Sequence, residues 1–165
     1  MIQCQFENGG KKSLRHVTLG AIVVKNGKIL LAKRSPNLIN PNKYCVPGGF
    51  LERDETMAEG ALRELREETG YAGKINCLFR VNDSPCRPQE DRQNVDVVFI
   101  VDVLEKVGEP DGEVTEVKWF NLNNLPPKDQ SKDQFAFDHF ENIQFYLQYL
   151  KNPSSFRLPI FNLNI

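Results

Sequence analysis

Two apolar runs joined by Asn26-Gly27 limit most strongly how this chain can fold. The runs cover residues 17–24 and 29–33 and consist mainly of the β-branched and aliphatic residues that favour strands. Asn and Gly tolerate the positive φ angles of a type I′ turn, the two-residue turn that suits a hairpin. The sequence therefore predicts an antiparallel hairpin early in a β-sheet.

A helix over residues 56–69 is the next clear element. Thr56 and Glu59 have the spacing of a capping box, and Gly70 stands where a helix commonly ends in a left-handed residue. Further strands are predicted over residues 74–81, 95–103 and 114–120. A second helix is expected to begin near Ser131, with Gln134 completing another capping box, and its apolar face is expected to consist of Ala136, Phe140, Ile143, Leu147 and Leu150.

Strands interrupted by a mid-chain helix and followed by a late one predict an α+β fold or an α/β sandwich. A length of 165 residues is typical of one domain. The net charge of −1 gives no basic surface for nucleic acid, and no apolar run approaches the ~20 residues of a membrane span. Four cysteines without a CxxC pair, and no recognisable export signal, favour a reducing, cytoplasmic location.

The first helix carries a concentration of acid. Glu64, Glu67 and Glu68 share one arc of the helix, while the apolar residues gather on another. Residues 49–71 hold six Glu and one Asp against three Arg. Oxygen ligands at this density suit a hard divalent ion such as Mg²⁺ or Mn²⁺. The spacing alone is more typical of a solvated acidic helix face, with Arg63 and Glu67 as an ordinary i,i+4 ion pair.

Gly60 lies in the middle of the acidic arc, where glycine costs about 1 kcal/mol relative to alanine. We interpret it as leaving open space beside the carboxylates for a ligand. Close packing of the helix backbone against the Gly48-Gly49 segment is the alternative.

Residues 49–71 resemble the signature of the Nudix hydrolases, G-x5-E-x7-R-E-U-x-E-E-x-G-U, in which U is a bulky apolar residue. Gly49 and Glu55 are followed at the required spacing by the run Arg63-Glu64-Leu65-Arg66-Glu67-Glu68-Thr69-Gly70-Tyr71. All 23 positions match the signature, although an aliphatic residue is more usual at the position of Tyr71. Pro47-Gly48 before this signature and Trp119-Phe120 in a late strand also resemble the family, so the resemblance spans about residues 16–150.

The resemblance implies an α/β/α sandwich around a mixed central β-sheet. It makes residues 16–150 the Nudix hydrolase domain, preceded by an extension (1–15) and followed by a tail (151–165) that could cover the domain or join a homodimer contact. It also implies metal-dependent hydrolysis of a nucleoside diphosphate derivative by water attack on phosphorus. The metal ligands implied are Glu64, Glu67 and Glu68, with Glu55 and the Gly49 carbonyl as contributors, and Arg63 would hold these carboxylates in place.

The general base and the substrate contacts are less well defined by the sequence. Glu113 or Glu116, just before Trp119, could supply a distal carboxylate, and one glutamate of the signature is the alternative base. Candidate phosphate anchors are chosen because Arg fits phosphate in a bidentate manner; they are Arg34, Arg80, Arg87 and Arg92. We interpret His139 as a half-buried packing residue beside Phe140.

The segment Phe135-Ala136-Phe137-Asp138-His139 resembles sequences of ADP-ribose-cleaving family members. Pro85 and Pro88 favour the same interpretation, so ADP-ribose or a related nucleotide sugar is the expected small-molecule substrate. The alternatives are a nucleoside triphosphate pyrophosphatase, which carries the same signature, and a non-catalytic sensor, which usually lacks some of these carboxylates.

Overall fold

The computed structural model describes residues 2–87, 93–126 and 132–161. Within these ranges the chain forms the helices α1 (Met57–Thr69) and α2 (His139–Lys151). The strands are β1 (Ile2–Gln5), β2 (Lys11–Leu14), β3 (Val17–Lys25), β4 (Lys28–Arg34), β5 (Tyr44–Cys45), β6 (Gly48–Phe50), β7 (Tyr71–Asn82), β8 (Val95–Lys106), β9 (Val114–Asn121) and β10 (Ile160–Phe161).

The strands of the described residues form a small hairpin and one large sheet. β1 and β2 pair only with each other, and the large sheet has the order β10-β7-β8-β3-β4-β5, with β6 beside β3 and β9 beside β4. β3 is parallel to β8, whereas β7 is antiparallel to β8 and β9 is antiparallel to β4. The sheet is therefore mixed, as predicted.

Alternation along β3 shows how the layers are built. Leu19, Ala21 and Val23 pack in one apolar cluster with Ala61 and Leu65 of α1. The intervening Ile22 packs in a second cluster with Ile143 and Tyr146 of α2. Because successive side chains of a strand point to opposite faces, the two helices cover opposite sides of the sheet. The predicted α/β/α sandwich is confirmed.

The Asn26-Gly27 turn has the predicted conformation. Asn26 has φ 51° and Gly27 has φ 71°, the pair of positive values that a type I′ turn requires. β3 and β4 pair directly at this turn, with Val24 opposite Ile29. β3 also pairs with β8 from Val17 to Val23, and β4 pairs with β9 along its whole length.

Both ends of α1 also follow the prediction. The Thr56 side chain accepts the Glu59 N–H, the Glu59 side chain accepts the Thr56 N–H, and Gly70 adopts the left-handed conformation with φ 72°. Tyr71, at a signature position where an aliphatic residue is more usual, packs edge-on against Trp119 with ring centroids 5.9 Å apart. Its hydroxyl accepts a hydrogen bond from the Trp119 indole, so the larger side chain is accommodated within the fold.

The prediction for the start of α2 was wrong. α2 begins at His139, after a 3₁₀ turn over Lys132–Gln134, and Ser131 lies outside the described residues. Phe135 forms a bridge with Tyr44, and the Ala136 N–H donates to the Tyr44 carbonyl. This long-range pairing interrupts helical geometry. Leu150, predicted on the apolar face, is 47% exposed.

The other predicted strands are present but extend beyond the expected limits, β8 reaching Lys106. β10 adds a short parallel strand beside Arg80 and Val81 of β7, so part of the C-terminal segment closes one edge of the sheet. Among the described residues no helix has the length and apolar character required to cross a membrane.

Candidate active site

Arg63 is the centre of the acidic part of α1. Its Nε and Nη2 donate to the two carboxylate oxygens of Glu55 at 3.0 and 2.9 Å, and its Nη1 donates to Glu64 at 2.9 Å and to Glu67 at 2.8 Å. Nη2 also donates to the Phe50 carbonyl at 3.0 Å. The hydrogen bonds from Arg63 lower the pKa of Glu55. One guanidinium thus fixes three carboxylates of the signature relative to β6.

Gly49 lies against the Glu64 carboxylate. A Cβ atom at position 49 would lie 2.4 to 2.6 Å from the carboxylate atoms of Glu64, closer than real Cβ contacts. The absence of a side chain therefore allows the carboxylate to approach the backbone of β6. Burial raises the pKa of Glu64 above its ordinary value.

Glu68 does not share the exposed acidic face on which the sequence placed it. It is 2% exposed and accepts the Gly48 N–H at 2.8 Å. Burial raises its pKa to about 8. Glu68 thus lies between the helix and the Gly48-Gly49 segment, one helical position from Glu67, which remains half exposed.

Gly60 is explained differently from either interpretation made from the sequence. A Cβ atom there would lie 2.5 Å from a carboxylate oxygen of Glu55 and 2.5 Å from the Leu19 side chain. The glycine therefore makes room for Glu55 and for packing of α1 on β3. The space beside Gly60 is therefore occupied by Glu55 and Leu19 and is not open for a ligand.

A cavity of about 470 Å³ adjoins this acidic part of α1. Acidic side chains from α1 and from two loops line it, namely Glu52, Glu64, Glu67, Asp111 and Glu113. Gly49 and Arg63 also line the cavity, whereas Glu55 and Glu68 are not among its lining residues. Among the predicted metal ligands, Gly49, Glu64 and Glu67 are thus in position to meet a ligand directly.

The loop between β8 and β9 brings further carboxylates to the cavity. The Asp111 N–H donates to the Glu67 carbonyl at 2.8 Å, and the Val107 N–H donates to the Gly70 carbonyl, so the loop is attached to the end of α1. Glu113 follows this attachment and lines the cavity. Glu116 does not line it and lies beside Lys118 at 3.6 Å. Of the two candidate bases, the structure brings only Glu113 to the site.

The predicted phosphate anchors are placed in different surroundings. Arg34 and Arg87 line the cavity. Arg80 does not; it is fully buried and donates to Asn142 and Glu141 of α2, so its assignment as an anchor is corrected to a structural role in the core. Arg92 lies outside the described residues, as does Pro88.

Several residues that line the cavity were not predicted from the sequence. Thr18 donates to Asp96 at 2.8 Å, and burial raises the pKa of Asp96. Phe137 and His139 form another part of the wall, so His139 is more than the packing residue expected. The remaining lining residues missed by the analysis are Leu19, Leu38, Ile39, Gly48, Phe50, Glu52, Asn94 and Asp111.

The chemistry of the donor set fits a divalent cation. Carboxylates crowd one end of the cavity, and Arg63 is the cation that contacts Glu55, Glu64 and Glu67. Hard divalent ions prefer such oxygen ligands. Within the described ranges, however, no three Asp, Glu, His or Cys side chains form a group already arranged to hold a metal ion. Binding one would therefore require Glu64 and Glu67 to share or exchange their contacts with Arg63.

Residues 14–140 match the sequence profile of the NUDIX domain. The chain belongs to the Nudix hydrolase family. Over 135 residues it is 38% identical to the ADP-ribose pyrophosphatase of Methanocaldococcus jannaschii, a match covering 81% of this chain and 73% of that protein. The family and the enzyme class expected from the signature, a pyrophosphohydrolase, are confirmed.

Solved structures share this fold. A Nudix hydrolase from Nitrosomonas europaea has a TM-score of 0.72 at 24% identity and covers 96% of this chain and 84% of its own. A bifunctional NMN adenylyltransferase/ADP ribose pyrophosphatase from Francisella tularensis, complexed with AMP and a Mn ion, has a TM-score of 0.65 at 25% identity. That match covers 83% of this chain and 42% of the bifunctional protein. Use of divalent metal ions is typical of Nudix ADP-ribose pyrophosphatases.

Proposed function

We propose that this Nudix hydrolase cleaves the diphosphate linkage of ADP-ribose or a related nucleoside diphosphate sugar. The observation that carries the proposal is that one cavity holds both the acidic residues of α1 and the two arginines Arg34 and Arg87. A diphosphate needs cationic partners, and its attacking water needs a carboxylate nearby. The identity to an ADP-ribose pyrophosphatase over most of both chains supports the choice of substrate.

The metal site belongs to the same proposal. Glu64 and Glu67 would hold Mg²⁺ or Mn²⁺, with the Gly49 carbonyl, Glu55 and Glu68 as further contributors. Such an ion would neutralise charge on the diphosphate and lower the pKa of bound water. Arg63 orients Glu55, Glu64 and Glu67 through the hydrogen bonds described above.

The remaining steps are assigned to residues of the cavity. Glu113 accepts the proton of the attacking water, and Arg34 and Arg87 hold phosphate oxygens during the attack on phosphorus. Water adds to one phosphorus atom and the bridging oxygen leaves with the other phosphate. ADP-ribose is thereby converted to AMP and ribose 5-phosphate.

A panel of nucleotides tests the substrate. The wild-type chain is incubated with ADP-ribose, other nucleoside diphosphate sugars and nucleoside triphosphates in Mg²⁺ or Mn²⁺, and the products are separated by chromatography. We expect AMP from ADP-ribose, and the same assay with E67Q should lose that activity. Preferential release of pyrophosphate from a triphosphate would instead identify a nucleoside triphosphate pyrophosphatase. Tight binding of ADP-ribose without turnover would identify a sensor.

The homodimer and the cytoplasmic location that the sequence predicts remain proposals. Exposed apolar side chains such as Leu104 and Phe161 lie on the strands β8 and β10. Analytical ultracentrifugation at micromolar concentration tests the homodimer directly.

A further inference from the structure

His139 has a defined orientation in the cavity wall that the proposed mechanism does not use. It is the first residue of α2, and its Nδ1 accepts the Val46 N–H at 3.0 Å. Only an imidazole nitrogen without a proton can accept a hydrogen bond. The neutral ring therefore carries its proton on Nε2.

The hydrogen bond to Val46 uses Nδ1 and leaves the Nε2–H of this cavity-lining residue to be considered. Within the part of the chain that the structure describes, the hydrogen bond of the ring is the one to Val46, and His139 lines the cavity. A half-buried N–H donor on a cavity wall gains most from an acceptor supplied by a bound molecule, because leaving such a donor unsatisfied on ligand binding costs about 1–3 kcal/mol.

The neighbours of His139 favour an oxygen-rich ligand. The ring of Phe137 lies 5.9 Å from that of His139, and the guanidinium of Arg34 lies over the Phe137 ring at 5.4 Å. Arg87 is held by Asp138, the residue before His139. Burial, with the nearby Arg87 and Arg34, lowers the pKa of His139 to about 4. Because Nδ1 accepts the Val46 N–H, the neutral ring presents its Nε2–H as a hydrogen-bond donor.

We propose that His139 binds the substrate directly, donating its Nε2–H to a phosphate or hydroxyl oxygen of the nucleoside diphosphate. This inference rests on the proposed function, since it assumes that such a substrate occupies the cavity. Its contribution is to affinity: the contact forms on binding and is kept during reaction, so KM depends on it more than kcat does.

Two substitutions separate this role from a structural one. The side-chain oxygen of Asn lies near the position of Nδ1, so H139N can still accept the Val46 N–H but lacks the donor at Nε2. The amide nitrogen of Gln reaches the position of Nε2, so H139Q keeps a donor toward the cavity but loses the acceptor for Val46. The two variants form a matched pair in which each removes one of the two hydrogen bonds.

The experiment measures steady-state hydrolysis of ADP-ribose and thermal unfolding for wild type and both variants. We expect H139N to raise KM about tenfold, the ordinary effect of losing one hydrogen bond, with kcat within about threefold and Tm close to wild type. H139Q should keep KM near the wild-type value and lower Tm. The ¹⁵N spectrum of the wild-type imidazole should show the proton on Nε2.

Three results overturn the inference. They are a wild-type KM in H139N, a raised KM in H139Q alone, and a proton on Nδ1 in the wild-type spectrum. Failure of the wild-type chain to hydrolyse ADP-ribose is a different result, since it refutes the proposed function together with this inference. A variant effect is interpreted only against an active wild type, so the two failures are distinguishable.

Discussion

Replacing Gly49 by alanine tests whether the position of the Glu64 carboxylate determines activity. The new Cβ would lie 2.4 Å from a carboxylate oxygen of Glu64, whereas ordinary contact begins at 3.4 Å. The carboxylate must therefore move by about 1 Å, and a displacement of that size in a positioned group costs on the order of 10²-fold in rate. We expect G49A to lower kcat by about that factor.

The same substitution should change stability only modestly. Overpacking costs about 1–3 kcal/mol, while replacing glycine by alanine recovers about 0.4–1 kcal/mol through the unfolded state. Steady-state kinetics on ADP-ribose and denaturant unfolding measure the two effects separately. Gly108 offers a matched control, because a Cβ there meets nothing within 4 Å, so G108A should retain both activity and stability.

A second substitution identifies the partner of the clash. In an E64A background the carboxylate is absent, so the stability cost of G49A should disappear, as expected for residues in direct contact. Full activity in G49A would refute the reasoning. An undiminished stability cost in the E64A background would show that the added methyl group collides with something other than Glu64.

Other perturbations test the remaining assignments. E113Q should lower kcat and remove the acid limb of the pH–rate profile, whereas E116Q should retain both; equal profiles would exclude Glu113 as the base. R80A should lower Tm and leave KM unchanged, because the guanidinium is bonded within the core; a raised KM with normal Tm would restore it as an anchor. R63K should lower kcat/KM at least hundredfold while circular dichroism shows a folded chain, since lysine cannot replace a guanidinium shared by three carboxylates. Because the pKa of His139 is lowered to about 4, the unfolded chain binds a proton below about pH 6.5 that the folded chain does not. Folding stability should fall between those values, and a fall of the same size in H139N would contradict this.

The parts of the fold predicted correctly are those determined by nearby residues. The limits of α1 depend on Thr56, Glu59 and Gly70, each within one turn of a helix end, and these interactions form without help from the rest of the chain. The Asn26-Gly27 turn is local in the same sense. The start of α2 is different, because it depends on the pairing of Tyr44 with Phe135, which are distant in the sequence.

The residues of the candidate site that the sequence predicted correctly are likewise those determined by local sequence. The family signature located Arg63, Glu64 and Glu67, because residues of one helix have fixed relative positions. The signature could not show that the Glu68 carboxylate accepts a hydrogen bond from the Gly48 N–H. It also could not show that the Arg80 guanidinium donates its hydrogen bonds to α2. Asp111 and His139 line the cavity because a separate loop and a separate helix pack beside it. Local sequence patterns do not predict how such distant elements pack together.

The Val46–Gly49 segment connects these separate contributions. His139 of α2 accepts the Val46 N–H, Glu68 of α1 accepts the Gly48 N–H, and the Pro47 carbonyl accepts the Ala21 N–H of β3. Elements of both helical layers and of the central sheet therefore fix one short backbone segment. Since Gly49, at its end, sets how closely Glu64 can approach, the position of the Glu64 carboxylate depends on α2 as well as on the helix that carries it.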